Sequence, residues 1–162
     1  MLNKKVAELM VNQVNKELYS SYLYLAISNY YAEEGLNGFA SWFKKQAAEE
    51  SEHADKFMEY LHDNDEKVVL ETIEAYKGKF KDYKEPLTLQ LSHEKYVTSL
   101  INDIYTAAIE AKDYRSLNFL NWFISEQAEE EKTAQDLLKE FELFAIDSKG
   151  VFEFSEKLAK AR

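Results

Sequence analysis

Residues 46–57 read QAAEESEHADKF, and the fold turns on how this stretch is read. Placed on a helix, Gln46, Glu50, His53 and Phe57 share one face, which continues through Phe39 and Phe43 before them and Tyr60 after them. A carboxylate and an imidazole thus occupy positions where large apolar side chains otherwise stand. An unpaired ionised carboxylate in such surroundings costs several kcal/mol or changes its protonation. Something must therefore meet Glu50 and His53 inside the fold.

The same pattern recurs at an offset of 77 residues. Glu17 is followed at +33 and +36 by Glu50 and His53, and Glu94 is followed at +33 and +36 by Gln127 and Glu130. Glu49 maps onto Glu126, Glu52 onto Glu129, Tyr19 onto Tyr96 and Trp42 onto Phe119. A helical hairpin is used twice. Glu17 lies 18 residues before Gly35, and Glu50 and His53 lie 15 and 18 after it. Counted from Lys112, Glu94 lies 18 before, and Gln127 and Glu130 lie 15 and 18 after. Antiparallel packing within each hairpin brings each trio to one height. A pseudo-twofold axis between the hairpins then brings the two trios together in mid-bundle. Four converging Glu side chains repel one another. Multivalent cations resolve that repulsion, and oxygen plus imidazole ligands suit iron, manganese or zinc.

The rest of the chain supplies the helices. A first helix is predicted from Asn3 to Glu33, with Met10, Val14, Leu18, Ser21, Leu25 and Ser28 inward and Gly35 as its stop. Asn37 is the expected N-cap of a second helix running to Asp63. Residues 65–85 carry mixed charges and Gly78 and read as a link. Pro86 opens a third helix that runs to about Lys112, with Leu87, Leu91, Glu94, Val97, Ile101, Ile104 and Ala108 inward. Asp113 to Ser116 turns the chain into a fourth helix ending at Phe144, whose stripe is Phe119 or Leu120, Phe123, Gln127, Glu130, Ala134, Leu137 and Phe141. A short amphipathic helix over about 148–160 follows. Short turns make each pair of helices antiparallel. About 20 extended residues reach ~65 Å, whereas a helix of about 28 residues is ~42 Å long. The link can therefore span the bundle and make helices two and three parallel. The expected class is all-α: one domain over 1–162, with a bundle over 3–144.

Composition agrees. Four glycines and one proline in 162 residues leave little to break a helix. Thirty acidic against 20 basic residues give a net charge of −10, which disfavours nucleic acid and suits cations. The absence of cysteine excludes disulfides, thiolate zinc and iron–sulfur sites. No apolar run reaches ~18 residues, so no membrane span is expected. The first ten residues lack a signal-peptide layout, which points to the cytoplasm.

At these residues the chain resembles the bacterial non-haem ferritins, along nearly its whole length. The resemblance is carried by Glu17-Leu-Tyr-Ser-Ser, Glu49-Glu50-x-x-His53, His93-Glu94, and the run from Asn118-Phe-Leu-x-Trp122 to Ser125-Glu-Gln-x-Glu-Glu-Glu131. It implies a ferritin-like four-helix bundle with a long crossover between helices two and three and a short fifth helix. It also implies a ferroxidase centre: Glu17, Glu50 and His53 holding one iron, and Glu50, Glu94 and Glu130 holding the other, with Gln127 beside it. A third iron position would use Glu49, Glu126, Glu129 and Glu130. Tyr24 matches a family tyrosine tied to electron transfer; core packing is the competing reading. The resemblance further implies Fe(II) as substrate, O2 or hydrogen peroxide as oxidant, and a homo-oligomeric cage of ~24 subunits.

Departures narrow the branch. Bacterioferritins repeat Glu-x-x-His, whereas the second half here reads Gln127-x-x-Glu130. Ser51 stands where those proteins place a haem-binding Met, so no haem is expected. His93 points about 100° away from Glu94 on its helix, which favours a supporting or surface role. His62 sits at a helix C-terminus, where a cation is favourable. Two other readings remain open: a dimetal oxidase or peroxide-consuming enzyme without mineral storage, and a metal-free helical bundle.

Overall fold

A computed structural model describes residues 1–161, and its helices fall in the expected order. They are α1 (Lys4–Glu33), α2 (Asn37–Asp63), α3 (Glu85–Glu110), α4 (Tyr114–Phe144) and α5 (Ser148–Lys160). Caps fix three of the starts. The Asn3 side chain accepts from the backbone N–H of Lys5 and Val6, Asp113 accepts from Ser116, and Asp147 accepts from Gly150. Pro86 lies in the first turn of α3, where its missing N–H costs nothing.

Asn37 does not cap α2; it is the first residue of that helix. The cap position belongs to Leu36, whose side chain is apolar and buried and makes no capping bond. Leu36 is held by its own N–H, which donates to Tyr31 O at 2.8 Å. Two later turns close in the same way, Glu66 N on Leu61 O and Asp113 N on Ala108 O, both at 2.9 Å. Each places one residue in the left-handed region: Gly35 at φ 78°, Asp65 at φ 59° and Lys112 at φ 54°. This ends α3 at Glu110 rather than at Lys112, and with Asp113 as its cap α4 starts at Tyr114, inside the expected turn.

The apolar core divides in two. At one end Tyr24, Ile27, Tyr31, Phe39, Phe43, Leu87, Leu137 and Phe141 pack together with α5. At the other, Val6, Met10, Val14, Phe57, Leu61, Ile101, Ile104, Leu120 and Phe123 do so. Leu87 from the start of α3 thus lies with Phe39 from the start of α2, and Ile104 lies with Leu61 near both ends. Helices α2 and α3 are therefore parallel, as the length of the link predicts.

The crossover runs along α1. Asn15 clamps it by donating to Val69 O at 2.9 Å and accepting from Glu71 N at 2.8 Å, and Tyr31 Oη donates to Tyr83 O at 2.7 Å. Helix α1 packs against both α2 and α3, so its buried face is wider than a single stripe. Gln13, Tyr24 and Ile27 are buried, Leu18 is half-buried and Leu25 is exposed. On α3, likewise, Gln90 is buried and Leu91 only half so. Helix α5 lies on α2 at Gly38, whose N–H donates to Ser155 Oγ at 3.0 Å. A Cβ at Gly38 would come within 1.6 Å of the Ser155 carbonyl oxygen, so only glycine admits this contact.

Candidate metal centre

Between the two apolar clusters lies a layer of buried polar side chains. Glu17, Gln46, Glu50, Gln90 and Glu94 are at most 1% exposed, and Gln127, His53 and Glu130 at most 5%. Each helix of the bundle contributes to the layer: Gln13 and Glu17 from α1, Gln46, Glu50 and His53 from α2, Gln90 and Glu94 from α3, Gln127 and Glu130 from α4.

Three sets of ligand atoms come within 4.8 Å of one another: Glu17 with Glu50 and His53, Glu50 with Glu94 and Glu130, and His53 with Glu126 and Glu130. Every pair of sets shares one residue. Glu50 links the first two, Glu130 links the second and third, and His53 links the first and third. The imidazole faces both ways. Nδ1 is 3.4 Å from Glu50 Oε2 and 4.0 Å from Glu17 Oε2, and Nε2 is 3.6 Å from Glu126 Oε1.

The electrostatics are those of a site built for a cation. Four atoms are buried without a hydrogen-bond partner: Glu17 Oε2, Glu50 Oε1 and His53 Nδ1 in the first set, and Gln90 Oε1 outside it. Such orphaned atoms are rare in native interiors. Burial pushes the Glu17 carboxyl well up from its ordinary range, with the Glu50 charge adding to it. Burial also raises Glu50 well, and the Glu94 charge raises it further. Glu94 is raised by burial as well, opposed by hydrogen bonds from Tyr24 and Gln127. A multivalent cation at this point reverses each cost and fills each orphaned valence of the first set. Oxygen ligands with one imidazole fit iron, manganese or zinc.

Glu94 is held from two sides. Tyr24 Oη donates to Glu94 Oε1, and Gln127 Nε2 donates to Glu94 Oε2 at 3.2 Å. Gln127 is steadied in turn by Thr98 Oγ1 and the Glu94 carbonyl, each 3.3 Å away. His93 supports rather than joins this layer. It is half-buried, its Nε2 lies 2.7 Å from Ser20 Oγ, and its ring stands edge-on to Tyr24. Burial, with the Lys16 charge, lowers its pKa to about 4, so the ring is neutral.

The remaining expected residues divide. Glu126 joins a set with His53 and Glu130, whereas Glu49 accepts from Gln46 Nε2 at 2.9 Å and Glu129 is exposed, outside all three sets. Ser51 Oγ lies 2.9 Å from Ser21 Oγ in the α1–α2 seam. His62 is exposed in the last turn of α2. Spacing alone did not single out Gln13 and Gln90. Gln13 Nε2 donates to Glu17 Oε1 at 3.0 Å, and Gln90 Nε2 reaches Gln46 Oε1 at 3.5 Å. A signal existed: a glutamine stands four residues before each of Glu17, Glu50 and Glu94, and Gln13 and Gln90 obey the 77-residue offset.

Known proteins resemble this chain along nearly its whole length. The sequence model of the ferritin family, described as a ferritin-like domain, matches residues 7–144. A probable bacterial non-heme ferritin-like protein of Haemophilus influenzae is 37% identical, covering 98% of this chain and 96% of its own. A bacterial non-heme ferritin of Campylobacter jejuni is 34% identical, over 94% and 91%. Among solved structures, an open-pore ferritin from the archaeon Archaeoglobus fulgidus superposes with a TM-score of 0.96 at 30% identity, covering all of both chains. No helix among the described residues is long and apolar enough to cross a membrane.

Proposed function

The chain belongs to the ferritin-like domain family, and on that footing we propose that it takes up Fe(II), oxidises it at the buried carboxylate layer and stores the ferric product in a homo-oligomeric cage. The observation that carries this reading is the sharing of Glu50 between two ligand sets, with an unsatisfied oxygen on a residue that is 1% exposed. Glu17 and His53 complete one position, and Glu94 and Glu130 the other. Gln127 and Tyr24 fix Glu94 so that its oxygens are presented without rearrangement. Hard anionic oxygens stabilise Fe(III) more than Fe(II), which favours loss of one electron from each iron. Two such electrons with two protons convert O2 to hydrogen peroxide, or hydrogen peroxide to two waters. Carboxyls raised by burial must shed their protons when iron binds, so uptake releases acid.

Glu126, beside His53 and Glu130, is the way out to a third position, and Glu49 and Glu129 extend that acidic side. Where only one iron gives up an electron, Tyr24, hydrogen-bonded to Glu94, supplies the second electron together with its hydroxyl proton. The ferric product is hydrolysed and mineralises on acidic surface inside the cage. A cage of ~24 chains of 19.0 kDa elutes near ~450 kDa.

Aerobic loading with Fe(II) tests the reading. Storage predicts far more iron per chain than these ligand sets can hold, in a particle of that size. Uptake that stops at the ligand sets, with continuing consumption of oxidant, would instead identify a dimetal oxidase. No Fe(II)-dependent oxygen or peroxide uptake would leave an inert bundle.

A further inference from the structure

The centre has a second neighbour, on the side away from Glu126. A cavity of about 530 Å³ opens between α1, α3 and the crossover. Its charged residues, Lys16, Glu71, Glu74 and Asp103, are all exposed and form the rim. Its deeper wall is mostly apolar, with Leu9, Val97, Leu100 and Ile104 beside Gln13 and His93, each buried or half-buried. Gln13 belongs to two places at once: it is cavity wall, and its Nε2 donates to Glu17 Oε1 at 3.0 Å. One uncharged side chain therefore separates the cavity from a metal ligand.

We propose that this cavity admits the small uncharged oxidant, dioxygen or hydrogen peroxide, to the centre, with Gln13 as its door, while iron arrives on the opposite, acidic side. The inference rests on the Fe(II)-oxidising reading above. The lining decides which reactant suits it. A hydrated cation would have to leave its water beside Leu9, Val97 and Ile104, where the one imidazole in the lining, His93, has its Nε2 engaged by Ser20 Oγ, which is costly. A small neutral molecule loses little there, and apolar cavities take up such guests. Iron has the better path by Glu126, whose side chain is 22% exposed and reaches His53 Nε2 at 3.6 Å. Movement of the Gln13 amide breaks a single neutral-donor hydrogen bond and uncovers no charge except that of Glu17 itself.

Two plugs test this without touching a ligand: Leu100→Trp from α3 and Thr72→Trp from the crossover, both in the wall. With Fe(II) saturating, the second-order rate constant for the oxidant is expected to fall about tenfold. The fall should occur with O2, with peroxide, or with both, and the oxidant affected identifies the traveller. Binding of Co(II), followed by its visible absorption, should keep its rate and stoichiometry. Unchanged constants for both oxidants in a folded plug variant overturn the proposal, and so does slowing of Co(II) uptake in step with oxidation. Xenon-pressurised crystals give a readout independent of iron chemistry: xenon beside Gln13 in the wild type and none in the plugged chain. An empty cavity in the wild type overturns the route. Absence of any oxidant consumption by the wild type contradicts the function proposed above instead, and xenon occupancy then decides the cavity by itself.

Discussion

The two hairpins are near-copies in sequence and differ in how their carboxylates are satisfied, although Gln90 Oε1 of the second is also buried without a partner. In the first, Glu17, Glu50 and His53 each carry a buried atom without a partner. In the second, Glu94 has both oxygens engaged, by Tyr24 and by Gln127. The substitution responsible is visible in the repeat: Gln127 stands where the first half has Glu50. An amide at that point gives Glu94 a donor at any pH, whereas a carboxylate repels Glu17 once both are ionised. Glu94 in the half with Gln127 is thus held in place by its donors, and Glu17, Glu50 and His53 in the other half form a set that could hold a metal ion. Symmetry of helix packing thus coexists with asymmetry of ligation.

Breaking the shared ligand should have the largest effect. Glu50→Gln removes a donor oxygen common to two ligand sets. We expect the initial rate of Fe(II) oxidation in stopped flow to drop by about 100-fold or more, beyond the 10–100-fold typical of supporting residues. The metal-free protein should melt at a higher temperature, since a repelling buried carboxyl has gone.

Stability against pH sharpens the same contrast. Glu17 and Glu50 hold protons in the metal-free fold above the pH at which they ionise in the unfolded chain. The native state therefore binds more protons, and stability falls as pH rises from the ordinary carboxylate range near ~4.3 toward the raised folded values. Each such carboxyl contributes a slope of up to about 1.4 kcal/mol per pH unit. Urea melts of metal-free wild type should show this decline, and Glu50→Gln should lessen it. A wild-type profile no steeper than that of Glu50→Gln would contradict the burial of charge in this layer.

Two changes, one in each half, should have opposite signs. Gln127→Leu strands Glu94 Oε2 without its donor, at a cost of about 1–3 kcal/mol in the metal-free protein. Glu17→Gln, in the other hairpin, should stabilise it. Equal signs would mean that the halves do not differ in this way. The smallest effect belongs to the turns. Gly35→Ala at φ 78° should cost about 1 kcal/mol, whereas Lys112→Gly at φ 54° should be neutral or stabilising by less than that, both read from thermal melts.

Those turns illustrate what the sequence makes legible. Gly35 announces its left-handed residue; Asp65 and Lys112 adopt the same conformation without any such signal, because the closing bonds to Leu61 and Ala108 impose it. The bundle, its crossover and the positions of Glu17, Glu50, His53, Glu94, Gln127 and Glu130 follow from periodicity and counting, since helices convert residue number directly into height. Leu25 fails because α1 faces two neighbours, and the direction of the second is set by packing rather than by its own pattern. The double-facing His53 ring depends on side-chain torsions that spacing does not encode. The glutamines at positions 13 and 90 were legible in principle through the same 77-residue offset, but an amide reads as weakly polar until its carboxylate neighbour is known to be buried.

The central claim is that a cation makes this dry convergence of carboxylates tolerable. Crystals soaked anaerobically in Fe(II) and measured at the iron absorption edge test it most directly. Two anomalous peaks are predicted, one among Glu17, Glu50 and His53 and one among Glu50, Glu94 and Glu130, with Glu50 touching both. A layer without iron, its carboxyls protonated and bonded to one another while peaks appear only at the surface, would contradict the account.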